Sequence, residues 1–255
     1  MGFVMRFAWF RIKKLYHLYL IRRKNLPAVI RDHLQACLHL DVRQPVLQTE
    51  FVVFDTETTG LHARKGDRIV SISAVRLKQG KIDLSDSFHE FVNPHRDIPS
   101  AAAVIHGILP RMLDGKPTLE EILPKFIEYI GCSILVAHHA WLDMTFLNRE
   151  MVRLYGLPLQ NLVLDTVLLD QTFRWMKAPS AQNLMTVNST LSALAGRYHV
   201  QINGHHSSFG DAFATAQIFQ QMLKQAQKQG MTSLKHLLKK AYQPVSFRHQ
   251  EVSSM

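Results

Sequence analysis

The chain has 255 residues, 47% of them hydrophobic and 20% charged, enough apolar material for a core and for one substantial domain with an appendage; wholesale disorder is excluded. Two cysteines, Cys37 and Cys132, far apart and without a C-x-x-C pair, exclude a disulfide framework and a cysteine-type zinc site and fit a reducing cytoplasm. The net charge of +10 suits a polyanionic partner, either nucleic acid or an acidic membrane surface.

Residues 1–50 carry nine Lys and Arg against three Asp and Glu, a net +6. The opening stretch, MGFVMRFAWFRIKKLYHLYLIRRKNLP, is apolar and aromatic but interrupted by Arg6, Arg11, Lys13 and Lys14. No uninterrupted run approaches the ~20 residues of a membrane span. The longest uncharged run, Leu15 to Ile21, is too short for the core of a signal peptide. The pattern predicts a basic, helical N-terminal extension over residues 1–48, suited to packing on the domain, to binding a partner or nucleic acid, or to lying on a membrane. Its expected consequence is a raised affinity for nucleic acid. DVRQPVLQTE, Asp41 to Glu50, reads as a linker.

Strand signals then follow in quick succession: EFVVFDTE, then RIVSISAVRLKQGKI with a turn at Gln79-Gly80, then SFHEFVNP. Short connections between them predict an antiparallel meander. From PKFIEYIG the period changes; a helix is predicted to start at Pro124, where proline suits a first turn. SILVAHH, Ser133 to His139, reads as a buried strand. LDMTFLNREMVRLYG reads as a helix ending at Gly156. TLSALAGRYHV is a further helix. DAFATAQIFQQMLKQAQKQG is the clearest one, opened by Asp211, with Ala212, Ala216, Phe219 and Leu223 on one face and Gly230 at its end. Strands followed by strand–helix alternation imply a mixed sheet covered by helices.

In FVVFDTETTG two carboxylates stand two residues apart at a strand end, so Asp55 and Glu57 point to the same face. Such neighbours repel unless a cation joins them, and hard oxygen ligands select Mg2+ or Mn2+. Asp143 follows a buried strand in the first turn of a helix, and His206 lies five residues before Asp211 in HHSSFGD. Taken singly, each has an ordinary reading: Asp143 and Asp211 suit helix starts, and His206 suits a surface loop.

Together these motifs resemble the DEDD-type 3′–5′ exonucleases of the histidine subclass, the DnaQ-like group that includes the proofreading epsilon subunit of bacterial DNA polymerase III. FDTETTG matches the first motif. HHAWLD is similar to the second, H-N-A-x-F-D, with His139 for Asn and Leu142 for Phe. HSSFGD is similar to the third, H-x-A-x-x-D, with Ser208 at the Ala position. IHGILPRM resembles the family's HGIT segment with Leu109 for Thr, and STLSALAGRY resembles the helix before the third motif. The similarity spans roughly residues 50–226 and implies an α/β, ribonuclease H-like fold. In that fold a mixed five-stranded sheet is flanked by helices; an exonuclease domain would occupy residues 49–230, with a C-terminal helix and flexible tail over 231–255.

The resemblance further implies two divalent ions per site, Mg2+ or Mn2+, held by Asp55, Glu57, Asp143 and Asp211, with His206 as general base on a loop between Gly204 and Gly210. Hydrolysis would release nucleoside 5′-monophosphates from DNA 3′ ends, in proofreading, repair or end trimming. RNA 3′-end trimming is the alternative within the superfamily. A non-catalytic nucleic-acid-binding module would lack one of the five catalytic residues, and none is missing. Thr58 and Thr59 are expected to hold the terminal nucleotide through backbone amides, and Leu61 and Ile108 to stack against its base. His138, His139 and Asp165 are expected beside the site, Asp165 as a helix cap. The basic extension precedes the usual start of a proofreading domain, which favours a stand-alone nuclease. Near the C-terminus QPVSF, Gln243 to Phe247, has the Gln and Phe spacing of short peptides that bind the bacterial sliding clamp, making a clamp or polymerase contact the further expected partnership.

Overall fold

A computed structural model describes residues 15–16, 18–22, 25–177, 187–202 and 207–242. The expectations for His206 and for QPVSF lie outside these residues. Five strands form one sheet: β1 Phe51–Thr58, β2 Ile69–Lys78, β3 Lys81–Phe91, β4 Ile134–Ala137 and β5 Val163–Asp165, in the order β3-β2-β1-β4-β5. The pairs β1/β2 and β2/β3 are antiparallel, whereas β1/β4 and β4/β5 are parallel. The meander is therefore present, and its β2–β3 turn uses positive φ at Gln79 and Gly80, as a two-residue hairpin turn requires. β5 is only three residues long and carries no alternation from which a strand can be read.

The helices are α1 Ala28–Leu38, α2 Ser100–His106, α3 Leu119–Ile130, α4 Ala140–Tyr155, α5 Thr166–Lys177, α6 Leu191–Arg197, α7 Ser208–Lys228 and α8 Leu234–Ala241. Two starts differ from expectation. α3 begins at Leu119 rather than Pro124, because Thr118 and Glu121 form a capping box there: the Thr118 amide donates to the Glu121 carboxylate at 2.7 Å. Pro124 is carried inside the helix, whose Leu119, Ile122, Leu123, Phe126, Ile127 and Ile130 are all buried; that burial outweighs the local cost of proline. α7 begins at Ser208, since the Ser207 hydroxyl accepts from the Gly210 amide at 3.2 Å, and Asp211 sits in the first turn.

Alternation along β1 divides the core into two layers. Val52 and Phe54 pack with α1, α3 and α4 through Ile30, Leu34, Phe126, Phe146 and Leu147. Phe51 and Val53 pack with α5, α6, α7 and α8 through Phe173, Leu194, Phe219 and Leu237. Phe51 meets Phe219 edge-on at 4.9 Å. α1 and α8 thus contribute to the same layers as the central helices, and the segment read as a linker buries Val46 and bridges Pro45 to Ser233.

Candidate active site

β1 is paired with β2 along its whole length but with β4 only from Phe51 to Val53. Its second half therefore leaves one edge open, at the end of the sheet where α4 and α7 begin. The row Phe51–Val53 continues to Asp55 and Glu57 on the face covered by α7, which brings them opposite Asp211. Ligand oxygens of Asp55, Glu57 and Asp211 all lie within 4.8 Å of one another. Thr56 points the other way, toward α4. Its amide and hydroxyl both donate to Asp143 Oδ1, at 3.0 and 2.6 Å. Asp143, in the first turn of α4, is buried, so the fourth carboxylate is tied through one residue to the strand that carries the other two.

The electrostatics follow from this crowding. Burial raises the Asp55 carboxyl well above the usual carboxylate range, and the charges of Asp143, Glu57 and Asp211 add to the rise. Burial, then Asp211 and Asp143, push Glu57 up to about 8. Burial raises Asp143 too, against the two Thr56 hydrogen bonds that favour its anion. The charges that bear on Asp55 and Glu57 are carboxylates. Crowded hard-oxygen donors of this kind fit a divalent cation.

The surrounding residues hold these elements in place. Asp165 Oδ2 accepts from the Ala140 amide at 3.0 Å and its Oδ1 from the Val167 amide at 2.8 Å. One carboxylate thereby caps both α4 and α5, as expected of a cap. His139, where the family motif has Asn, adopts φ 55°, a left-handed conformation that both His and Asn tolerate. His138 Nδ1 lies 3.0 Å from Thr166 Oγ1, and burial, then the His139 charge, hold its ring down to about 4; neither histidine joins the carboxylate group among the described residues. Ser208, at the family's Ala position, lies 2.7 Å from both Ser71 Oγ and Ser73 Oγ, and Ser73 continues to His89 Nδ1 at 2.7 Å. This buried chain of hydroxyls fastens the start of α7 to β2 and β3.

Two expectations for substrate contacts are corrected. The Thr59 amide donates to the Arg68 carbonyl at 2.8 Å and its hydroxyl accepts from the Arg68 amide at 3.1 Å, so Thr59 closes its own loop and its amide is not open to a nucleotide. Ile108 is buried with Val70, Ile98 and Leu113, because the turn after α2 folds it inward. The Thr58 hydroxyl donates to the Gly60 carbonyl at 2.7 Å. Leu61 is exposed, as are Leu109 and Met112. Asp67 was not anticipated: it accepts from the His62 amide at 2.9 Å and faces Thr59 Oγ1 and Arg96. A Cβ at Gly60 would come within 2.5 Å of it, so only glycine lets the loop close there. Thr56 was also missed, although alternation alone sets it opposite Asp55 and Glu57.

A model of the Exonuclease family (RNase_T) matches residues 52–219. The DNA polymerase III PolC-type protein of Caldanaerobacter subterraneus subsp. tengcongensis is 40% identical over 191 residues, which are 75% of this chain and 13% of that protein. A DNA polymerase III subunit epsilon-like protein of Rhodobacter capsulatus is 37% identical over 191 residues, 74% of this chain and 26% of that protein. The chain thus matches about a quarter or less of the length of these relatives. Among solved structures, the nuclease domain of 3′hExo, a DEDDh family member bound to rAMP, shares the fold with a TM-score of 0.57 at 18% identity, over 71% of this chain and 95% of that one. Exonuclease X in complex with 5′-overhanging duplex DNA does so with a TM-score of 0.52 at 22% identity, over 73% of this chain and 99% of that one. With the family match spanning β1 to α7, the strand and helix that carry three of the four carboxylates, the chain belongs to the Exonuclease family.

Proposed function

We propose that the protein is a 3′–5′ exonuclease that hydrolyses the terminal phosphodiester bond of DNA and releases nucleoside 5′-monophosphates. The observation that carries this reading is the convergence of Asp55, Glu57 and Asp211 within 4.8 Å, with Asp143 joined to the same strand through Thr56. Asp55, Glu57 and Asp211 would hold divalent cations, Mg2+ or Mn2+, two per site, with Asp143 beside them. Bound there, such ions supply positive charge to the phosphoryl oxygens and favour the ionised form of the attacking water. His206 takes the proton from that water, a task for which a near-neutral imidazole is suited. Thr58 shapes the loop that meets the terminal nucleotide, and Leu61 offers it an apolar side chain.

DNA is favoured over RNA because the relatives at 37–40% identity carry DNA polymerase III names. Partnership with a polymerase or, through QPVSF, a sliding clamp is part of the same proposal; a pull-down with purified clamp, comparing the chain with its Gln243→Ala/Phe247→Ala variant, tests that contact. The activity is tested by degradation of 5′-labelled single-stranded DNA, duplex DNA and RNA of matched sequence, with Mg2+ or Mn2+ and with chelator. Stepwise shortening of DNA from the 3′ end, faster than RNA and absent with chelator, is expected. Intact DNA ends in the presence of folded protein and either metal overturn the reading, and faster shortening of RNA reverses the substrate.

A further inference from the structure

Residues 15–22 are helical at every described position. At about 100° per residue, Leu20 and Ile21 fall on one side of this helix and Leu15, Leu18, Tyr19 and Arg22 on the other. The domain uses the first side: Leu20 is 2% exposed and joins Leu26, Ile30 and Leu34 in the core layer of α1 and α3, with Ile21 packed against it. The second side is open, with Leu15 66%, Tyr19 58%, Tyr16 45% and Leu18 39% exposed. The side chains that the fold leaves in water are thus more apolar than a solvated helix face calls for.

Charge narrows the choice of partner. The first 31 residues hold eight Lys and Arg and no Asp or Glu, so an anionic surface is complementary to them. The leucines separate the two anionic classes. A nucleic acid offers phosphates to the arginines and bases to the tyrosines, but Leu15 and Leu18 gain little from either. The boundary between lipid headgroups and acyl chains takes all three kinds together: leucine below, tyrosine at the boundary, arginine and lysine at the headgroups. The same composition continues upstream in the sequence, where Phe3, Phe7, Trp9 and Phe10 alternate with Arg6 and Arg11. No helix of the described residues is long and apolar enough to cross a membrane. The charges at Arg6, Arg11, Lys13, Lys14 and Arg22 interrupt the apolar sequence well short of the ~20 residues a span needs, which suits a surface-lying arrangement.

We infer that the helical residues 15–16 and 18–22 dock this protein on an anionic lipid surface, with Leu15, Leu18 and Tyr19 inserted at the acyl boundary and Arg22, on the same side, at the headgroups. Electrostatic attraction brings the extension to the surface, and insertion of the exposed apolar side chains holds it there. An exonuclease so anchored would act on nucleic-acid ends at a membrane. The inference does not depend on catalysis, because lipid binding is read without substrate.

Flotation of the full-length chain with vesicles tests it, using phosphatidylcholine alone and phosphatidylcholine with about one third phosphatidylglycerol. The protein should float with the phosphatidylglycerol vesicles only, and less so as salt is raised, since screening weakens the charge attraction. Leu15→Glu/Tyr19→Glu should reduce partitioning at least about tenfold, and Arg22→Glu should reduce it to a smaller extent. Both positions of the double variant are exposed, so its melting temperature and its turnover of a short oligonucleotide should match the parent chain; Asp55→Ala should float like the parent. Two results overturn the inference: a parent chain that stays in the aqueous phase, or a double variant that floats equally well. In the second case a loss of affinity for single-stranded DNA assigns the face to nucleic acid.

Discussion

At the level of single residues, the site is a set of carboxylates held closer than their charges favour. Asp55 and Glu57 come together through strand alternation, and Asp211 and Asp143 reach them from helix starts on opposite faces of the sheet. Removing one carboxylate relieves repulsion and opens no apolar cavity. Asp55→Ala should therefore abolish turnover while the metal-free protein melts at the same or a higher temperature; a variant that unfolds would make Asp55 structural. His206→Ala should slow turnover by about 10²–10⁴, the usual worth of a positioned base, with Mn2+ binding by calorimetry unchanged. An unaltered rate removes His206 from the mechanism. Asp55 and Glu57 are legible from the sequence because a period of two needs no tertiary information. Asp143 and Asp211 are not: each looks like an ordinary helix-start residue until the resemblance sets them together. Thr56 was legible by the same alternation but has no charge to draw notice, and Ile108 misled because nothing local shows that the turn after α2 folds it inward.

Among the elements, helix starts decide where the chemistry stands. α4 begins directly after β4, and its first amide is capped by Asp165 from the end of β5, so the cap fixes the helix that carries Asp143. Loss of one cap costs about 0.5–2 kcal/mol. Asp165 serves two helices, and Asp165→Ala should lower stability by roughly 1–3 kcal/mol on that basis. Turnover at saturating metal should fall in addition, as Asp143 loses its fixed position. Chemical denaturation and a kcat measurement on the same preparation check both; a stability loss with unchanged kcat would leave Asp165 a cap alone. The hairpin at Gln79-Gly80 and the end of α4 at Gly156 were readable because each needs a positive φ. The start of α3 was misread because Pro124 is a conspicuous signal, whereas the Thr118–Glu121 capping box is a quieter one. β5 escaped because three residues show no period.

For the whole molecule, the sheet has its two core layers at the centre and its crowded carboxylates at one end, and the pH dependence of stability reports on that end. Glu57 has an ordinary value of 4.5 and is raised to about 8 by burial and by Asp211 and Asp143; Asp55 and Asp143 are raised as well. A raised carboxyl binds its proton more tightly folded than unfolded. Its stabilisation is complete below the unfolded value and is lost as pH rises through the folded one. The buried histidines act in the opposite sense. His138, depressed from 6.5 to about 4, gives stability that is present above 6.5 and lost as pH falls toward 4. The two effects overlap at acid pH and separate above it. Between pH 6.5 and about 8 the histidine contribution is complete while Glu57 still titrates. In that interval the metal-free protein should melt at steadily lower temperature as pH rises, and Glu57→Gln should flatten the slope, because glutamine has no proton to lose. Under the proposed function Mn2+ would bind the ionised carboxylates of the folded state, and it should then raise the melting temperature most at the alkaline end. Calorimetric scans at half-unit steps of pH, in chelator and then in Mn2+, make the comparison. A flat metal-free profile over this interval, or a Glu57→Gln profile with the parent's slope, would show that the carboxylates are not crowded in the way that metal binding by this site requires.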